Sequence, residues 1–351
     1  MHELMKFFAP FVIFFSCCLF CDDTPISHAP IGVMGDHTHQ KDEIMISLRI
    51  SSMKMRGNLL GSNVINDNQI LELPNPNVGM PNAPANLSIV PKEMDMKMFM
   101  LGGMLAVTDK VTLMGMMMFQ ELNMNSNTFQ GMMGRNLLGS FNLSSEALSQ
   151  ISLFGLVDIH KSNLEKTIFS IGIVKSIGPN DKMGNILTPM NTRIDMIMPY
   201  GMQGSDKSTK LSIGYTYKKF YDLSSIGVQV KTKINIEKKN WAFGNKYESS
   251  VWWQKLINEN FAWSLRYKIF KEESIEGGDS RIFGPVQTAN PYNYGGLSSH
   301  LGIGLNTTFH LFQSEHSDRL ALELLIPVNQ NKNNLQMQNK NKVVIGYQKA
   351  F

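Results

Sequence analysis

The chain has little of several features that mark common classes of protein. Its 351 residues include three cysteines (Cys17, Cys18 and Cys21), all in or beside the first apolar segment, so the rest of the chain has no disulfide framework. Beyond that segment no apolar run approaches the roughly eighteen residues of a spanning helix, which excludes a helical membrane protein. The net charge of +4 is small and Lys and Arg are scattered, so nucleic acid is not an expected partner.

Motifs for catalysis and cofactor binding are also missing. The sequence contains no phosphate-binding glycine loop, no nucleophile elbow and no zinc-ligand spacing. It therefore predicts a protein that is not an enzyme and has no cofactor. Because some barrels carry catalysis on their outer loops, these absences count against an enzyme without closing that alternative.

The first residues have the form of an export signal. Lys6 precedes an apolar stretch from Phe7 to Cys21, and two aspartates follow it. This order predicts a secretory signal peptide over residues 1–21. The alternative is a lipoprotein, with Cys17 or Cys21 as the acylated residue.

From Glu43 onward, about twelve segments alternate apolar and polar residues with the period of two that strands require. The clearest runs from Leu223 to Ile236 and is longer than most globular strands, close to the roughly nine to eleven residues of a tilted transmembrane strand. Long connections alternate with short ones, as in an outer-membrane barrel. The long ones are expected at about 57–92, 125–147, 177–209, 239–245, 274–298 and 328–340, and the short ones near 107–110, 161–165, 220–222, 258–260 and 312–318.

The pattern therefore predicts an all-β fold: a transmembrane antiparallel up-and-down β-barrel of about twelve strands over residues 43–351. One face of each strand is apolar, and we expect lipid to cover it, since a soluble barrel would turn that face inward. Aromatic residues near strand ends are expected to form girdles, among them Phe220, Tyr221, Trp241, Phe243, Trp252 and Trp253. The residues expected to line the lumen are Gln229, Lys231, Lys233, Asn235, Arg266, Lys268, His300, Asn306 and Glu323.

Residues 22–42 are expected to form a periplasmic N-terminal segment with a histidine cluster. Asp36, His37 and His39, with Glu43 nearby, could bind a borderline metal, because two histidines at i and i+2 of an extended segment point the same way. Short histidine motifs are also common in mobile tails without a metal.

Methionine is frequent in the first half of the chain, and two sets share a strand face. The first alternates through 94–100 with Asp95 and Lys97, and it would cover the lipid side if those charged residues face the lumen. The second set, which would line the pore, is Met114, Met116 and Met118. Thioethers prefer Cu(I), so a soft-metal path is one hypothesis. The other is that methionine serves as an adaptable apolar filler.

Several segments carry a resemblance to a known family. They are Pro30–His39, Pro91–Met96, Leu187–Met190, Arg281–Pro291 and Gly346–Phe351. They resemble Gram-negative outer-membrane barrel transporters related to the proteins of the meta-pathway of phenol degradation. The resemblance spans nearly the whole chain after the signal and implies a barrel with a transport role. This chain departs from the family by being richer in Lys and Asn. Independently of the family, a last strand that ends in the aromatic Phe351 resembles the signal read by the barrel-assembly machinery.

The predicted function is a channel or transporter in the bacterial outer membrane for small solutes, aromatic or hydrophobic compounds among them. Its cationic lining would favour anionic solutes. The expected partners are outer-membrane lipid and lipopolysaccharide, the assembly machinery and the solute. Two alternatives stay open: a protein that handles copper or another soft metal through its Met- and His-rich N-terminal half, and a structural or adhesive barrel.

Overall fold

A computed structural model describes residues 24–79, 83–131, 135–311 and 317–351. The predicted signal peptide and the three cysteines lie outside these residues. The twelve long strands are β1 (Ile44–Leu60), β3 (Ile89–Thr108), β4 (Val111–Phe129), β5 (Leu137–Lys161), β6 (Glu165–Ser176), β9 (Thr209–Tyr221), β10 (Ser224–Glu237), β12 (Lys246–Asn258), β13 (Phe261–Glu272), β15 (Gly296–Phe309), β16 (Asp318–Lys332) and β17 (Leu335–Ala350). The shorter elements are β2 (Asn63–Ile65), α1 (Asp67–Leu71), β7 (Met183–Leu187), β8 (Arg193–Ile197), β11 (Trp241–Ala242), β14 (Glu276–Gly277) and two 3-10 turns, Tyr200–Met202 and Gln287–Ala289.

The twelve long strands form one closed barrel. Each pairs antiparallel with its neighbours in chain order, and β17 returns to pair with β1 from Met45–Ala350 to Leu60–Leu335. The pairing of β17 with β1 closes the sheet on itself, as a membrane-spanning sheet requires. The prediction of an antiparallel barrel of about twelve strands is confirmed.

Alternation along the strands separates an apolar outer surface from an inner face that is largely polar in β10, β13 and β15. In β10, Ile226, Val228 and Val230 are exposed, whereas Ser225, Gly227 and Gln229 between them are buried. The same alternation runs through β13 and β15. Trp253 and Trp263 meet edge to face at the outer surface beside the turn that joins β12 to β13, as expected of an interfacial girdle. Among the described residues, no helix has the length and apolarity to cross a membrane.

The girdle predictions for Trp252, Trp241 and Phe243 are wrong, and Phe243 packs inside the barrel against Trp241. Trp252 and Trp241 are each 1% exposed and lie inside the barrel. Alternation decides the first, since Trp252 and Trp253 are consecutive and must point to opposite faces. Trp241 lies in the short strand β11, which folds inward and not along the rim.

Among the described residues the predicted sorting of loops is right at most positions and wrong at two, and the short connection predicted near 312–318 lies largely outside those residues. The predicted loop 328–340 is instead a hairpin in which β16 and β17 continue to a turn at Asn333 and Asn334, where Asn334 takes a φ of +56°. The predicted loop 125–147 shrinks to the connection between Phe129 and Leu137. These strands lose their apolar alternation because beyond the hydrocarbon both faces can be polar, and such a sequence looks like a loop.

The N-terminal segment, which the sequence predicts as a periplasmic segment ahead of the first strand, occupies the lumen. Residues 24–43, here called the plug, include Ile26, Ile31 and Thr38, each no more than 1% exposed. The plug lies at the end of the barrel where the strands join by short turns, because its carbonyls meet Ser225, Gln254 and Asn306 beside those turns. A narrow barrel has to fill its interior, and here the chain supplies the filling itself.

The opposite end of the lumen is covered by the long connections. Tyr200, Trp241, Phe243 and Tyr294, here called the aromatic cap, come from three separate connections. They pack on inward side chains of the strands, including Met94, Leu122, Met124, Phe141 and Leu143.

Candidate functional site

All nine residues predicted to line the lumen lie on the inner face of their strands. Each is buried or half-buried and alternates with exposed neighbours. These nine residues fall into two groups according to their position relative to the plug. Gln229, Arg266, Asn306 and Glu323 lie against the plug. Lys231, Lys233, Asn235, Lys268 and His300 lie further along the strands toward the aromatic cap.

The wall holds the plug by donating hydrogen bonds to its backbone carbonyls. A plug without regular secondary structure leaves its carbonyls unpaired, and buried polar groups need partners. Most donors are long cationic or amide side chains that reach inward from the strands, and Ser225 donates through its hydroxyl. The contacts are Lys218 to Ser27, Ser225 and Gln254 to Ile26, Gln254 also to His28, Arg319 to Ala29, Arg49 to Ile31 and Val33, Gln229 to Met34 and Lys166 to Thr38.

Arg266 and Glu323 form a buried ion pair beneath the plug. Arg266 Nη2 donates to Glu323 Oε2 at 2.9 Å, and Arg266 Nε lies 2.8 Å from Oε1. Glu323 Oε2 also accepts the backbone N–H of Gly32 at 3.0 Å. Gly32 is required there, because a Cβ would lie 2.3 Å from that same oxygen. Glu323 thus compensates the charge of Arg266 and connects it to the plug through Gly32.

Between the plug and the aromatic cap the lumen is cationic. Lys268 pairs with Glu248 at 2.6 Å. Within the described part of the chain, no carboxylate lies within 4.0 Å of the ammonium groups of Lys231, Lys233 or Lys342. An excess of positive charge in a low-dielectric enclosure attracts anions and repels cations.

The aromatic cap is a set of edge-to-face rings tied by hydrogen bonds. The centroids of Tyr200 and Trp241 are 4.9 Å apart, and those of Trp241 and Phe243 are 5.3 Å apart. The Tyr294 hydroxyl donates to Thr288 O at 2.8 Å and accepts from Gly201 N at 2.9 Å. Burial raises the pKa of Tyr294, so this hydroxyl stays protonated at physiological pH.

The wall itself is interrupted between β16 and β17. β16 continues to Lys332, but its backbone ladder with β17 ends at the Leu325–Lys342 pair. Pro327 follows, which has no N–H to donate, and the register of β16 with β15 shifts across Val328. Further along, the side chain of Gln330 bridges to the backbone of Asn339, at 2.9 and 3.0 Å.

This interruption, here called the wall gap, adjoins an internal cavity. The cavity has a volume of about 40 Å³, roughly the space of three water molecules. Its lining combines apolar, amide and cationic groups: Met53, Lys268, His300, Leu325, Pro327, Asn339, Asn341 and Lys342.

A second cluster forms where the plug folds back on itself. Asp36 Oδ2 accepts the N–H of Ala29 at 2.6 Å, which brings His28 beside His37. The rings of His28, His37 and His39, here called the histidine stack, meet edge to face with centroid distances of 4.5 and 5.0 Å. Burial lowers the pKa of His37 to about 4 against the opposing attraction of Asp36, so its imidazole is neutral near pH 7.

The predicted metal residues are thus partly brought together. His28, Asp36 and His37 offer ligand atoms within 4.8 Å of one another. Sequence reasoning missed His28, because eight residues separate it from Asp36 and only the fold of the plug joins them. His39 lies next in the stack and is oriented by Glu43, with 2.7 Å between Nδ1 and Oε1.

The methionines of both sets turn inward. Met94, Met96, Met98 and Met100 occupy the lumen side of β3, and Lys97 points outward to Glu121 at 3.5 Å. The arrangement in which Asp95 and Lys97 face the lumen is therefore wrong. Met114 and Met116 border a cavity beside His37, whereas Met118, also inward, does not border it.

Comparison with known proteins gives a match in fold. No protein-family profile matches the chain, and no curated protein matches it by sequence. Among solved structures, it is similar to an outer-membrane channel from Pseudomonas putida F1, with 8% identity over 90% of this chain and 98% of that one and a TM-score of 0.53. More distant are the β domain of the Bordetella autotransporter Brka (7% identity, 89% and 100% covered, TM-score 0.42) and a Pseudomonas aeruginosa FadL homologue (9%, 88% and 90%, TM-score 0.39).

Proposed function

We propose that this chain is a bacterial outer-membrane channel for small aromatic or hydrophobic solutes, and that among these it prefers compounds with an acidic group. One observation carries the proposal. Both ends of the lumen are covered, by the plug and by the aromatic cap, whereas the wall is interrupted beside a cationic cavity. The fold shared with the Pseudomonas putida channel supports the same conclusion.

The solute class follows from the groups along this route. A solute that enters past the aromatic cap meets rings, which favour flat apolar molecules. It then reaches the ammonium groups of Lys231, Lys233 and Lys342, which favour a carboxylate on the solute. The wall gap lies beside these cations and gives the solute a way out of the lumen that avoids both covered ends.

Cross-linking the wall gap tests the route. Gln330→Cys with Asn339→Cys places a disulfide where the Gln330 side chain now bridges to the backbone of Asn339. Proteoliposomes would be assayed for uptake of benzoate, with and without a reductant. We expect oxidation to reduce uptake to the level of empty vesicles and reduction to restore it.

The matched control uses the same two strands within their intact ladder. Leu322→Cys with Ile345→Cys joins a pair that is already opposite in register, so its oxidation should leave uptake unchanged. Equal uptake by the oxidised and reduced Gln330/Asn339 variant would refute the wall route. A folded barrel with no uptake of any solute, but with loop-dependent adhesion to cells, would favour the adhesive alternative.

A further inference from the structure

Two carboxylate–imidazole pairs in the plug leave ring nitrogens unused. His37 Nδ1 is 3.0 Å from Asp36 Oδ1, and His39 Nδ1 is 2.7 Å from Glu43 Oε1. Within the described residues, the Nε2 atoms of both rings are buried without a hydrogen-bond partner. A carboxylate that holds one ring nitrogen and frees the other for a metal is the usual second shell of a histidine ligand.

His37 borders a cavity whose other walls carry sulfur. The cavity has a volume of about 20 Å³, room for roughly one water molecule or one ion. The methionines that line it are Met34 of the plug, Met100 and Met104 of β3, and Met114 and Met116 of β4. β3 and β4 place these side chains next to one another, since Met104 pairs with Met114 and Gly102 with Met116.

The charges around the cavity decide which ion fits. Arg49 borders the same cavity, and Lys218 Nζ lies 3.8 Å from Asp36 Oδ2. These two cations oppose a divalent ion, and both imidazole and thioether are neutral ligands. Thioethers select Cu(I) among the biological metals, and imidazole also binds copper.

We propose that His37 Nε2 and the thioethers of the methionine cavity form a Cu(I)-binding site. The ion would join the plug, through His37 and Met34, to the barrel wall, through the methionines of β3 and β4. Asp36 is a positioning residue that orients His37. This site is independent of the proposed solute route, which runs through the wall gap.

Competition titration of the intact barrel tests the site. The detergent-purified protein would be titrated anaerobically with Cu(I) against bicinchoninate, and copper X-ray absorption would report the ligand atoms. We expect one Cu(I) per barrel with sulfur and nitrogen ligands. Copper should also slow proteolysis of the plug, because it ties the plug to the wall.

Isosteric variants separate ligation from packing. Met114→Leu with Met116→Leu keeps the apolar volume and should weaken Cu(I) binding at least ~10-fold. The control, Met94→Leu with Met96→Leu, changes inward methionines of β3 that do not border the cavity, and should leave binding unchanged. Asp36→Asn should weaken binding by about 10- to 100-fold with the ligand atoms retained.

Three results would overturn the proposal. The first is a Met114/Met116 variant that folds, by its far-ultraviolet circular dichroism, and binds Cu(I) as tightly as the parent. The second is an absorption spectrum without sulfur ligands, which would move the ion to His28, Asp36 and His37. The third is the absence of a competitive Cu(I) site in the parent barrel.

Discussion

Removing Glu323 should release the plug. In Glu323→Gln the guanidinium of Arg266 stays buried without its counter-ion, and Gly32 N loses its charged acceptor. Removing one partner of a buried ion pair costs about 3–5 kcal/mol. Plug release relieves that cost because it admits water to Arg266. The released population should therefore rise by about two to three and a half orders of magnitude, at about 1.4 kcal/mol per factor of ten.

Labelling of a buried plug residue measures this release. Ile31 is 1% exposed, so Ile31→Cys, in a chain whose three native cysteines are replaced by serine, should react slowly with a maleimide. Adding Glu323→Gln should accelerate labelling about a hundredfold or more, as the population estimate requires. Single-channel conductance in a planar bilayer should rise in parallel.

Two controls decide whether the ion pair is the cause. Arg266→Met with Glu323→Leu removes both charges and should label far more slowly than the single variant, because no uncompensated charge remains. Glu248→Gln breaks the Lys268 pair, whose partners do not contact the plug, and should leave labelling unchanged. Labelling of the Glu323 variant at the parent rate would refute the reasoning.

Two more predictions follow from the lumen. Lys231→Gln with Lys233→Gln removes two ammonium groups and should lower the anion preference, measured as a smaller reversal potential across a salt gradient; an unchanged potential would show that these two lysines do not set the preference. Gly227→Ala places a Cβ 2.2 Å from the Trp252 ring and should destabilise the barrel by about 1–3 kcal/mol, measured as a lower melting temperature in detergent. Gly115→Ala, with no atom within 4 Å of the new Cβ, is its control and should melt as the parent does.

The barrel could be predicted because lipid imposes a strict rule on each strand. In β10 the outward residues from Ile226 to Ile236 are apolar except for Thr232, and no soluble environment requires this over such a length. The rule ends where the hydrocarbon ends. Beyond that limit the ends of β16 and β17 lack the alternation, so their sequence resembles a loop. Trp252 is a different error: its aromatic character suggests a girdle position, whereas alternation with Trp253 places it inside.

The site was harder to predict because it depends on contacts between distant parts of the chain. Asp36, His37, Met114 and Met116 were recognisable as ligand types, but the cavity that joins His37 to the methionines exists only because the plug lies against β3 and β4. His28 had no local signal. The wall gap was hard to predict for the same reason. Pro327 is visible in the sequence, but the sequence does not show that the ladder between β16 and β17 ends just before it.

The plug itself did leave a signal in the sequence of the wall. Arg49, Lys218 and Arg319 each face the lumen and are at most 7% exposed, yet their strands provide few carboxylates to pair with them. A buried guanidinium or ammonium needs acceptors, and a strand in a closed barrel has already committed its own carbonyls to its neighbours. The acceptors must therefore come from a segment without regular pairing, and residues 24–43 supply them. An excess of inward cations near the short turns thus predicts an extended segment inside the barrel, and the plug sequence and the wall sequence have to be read together.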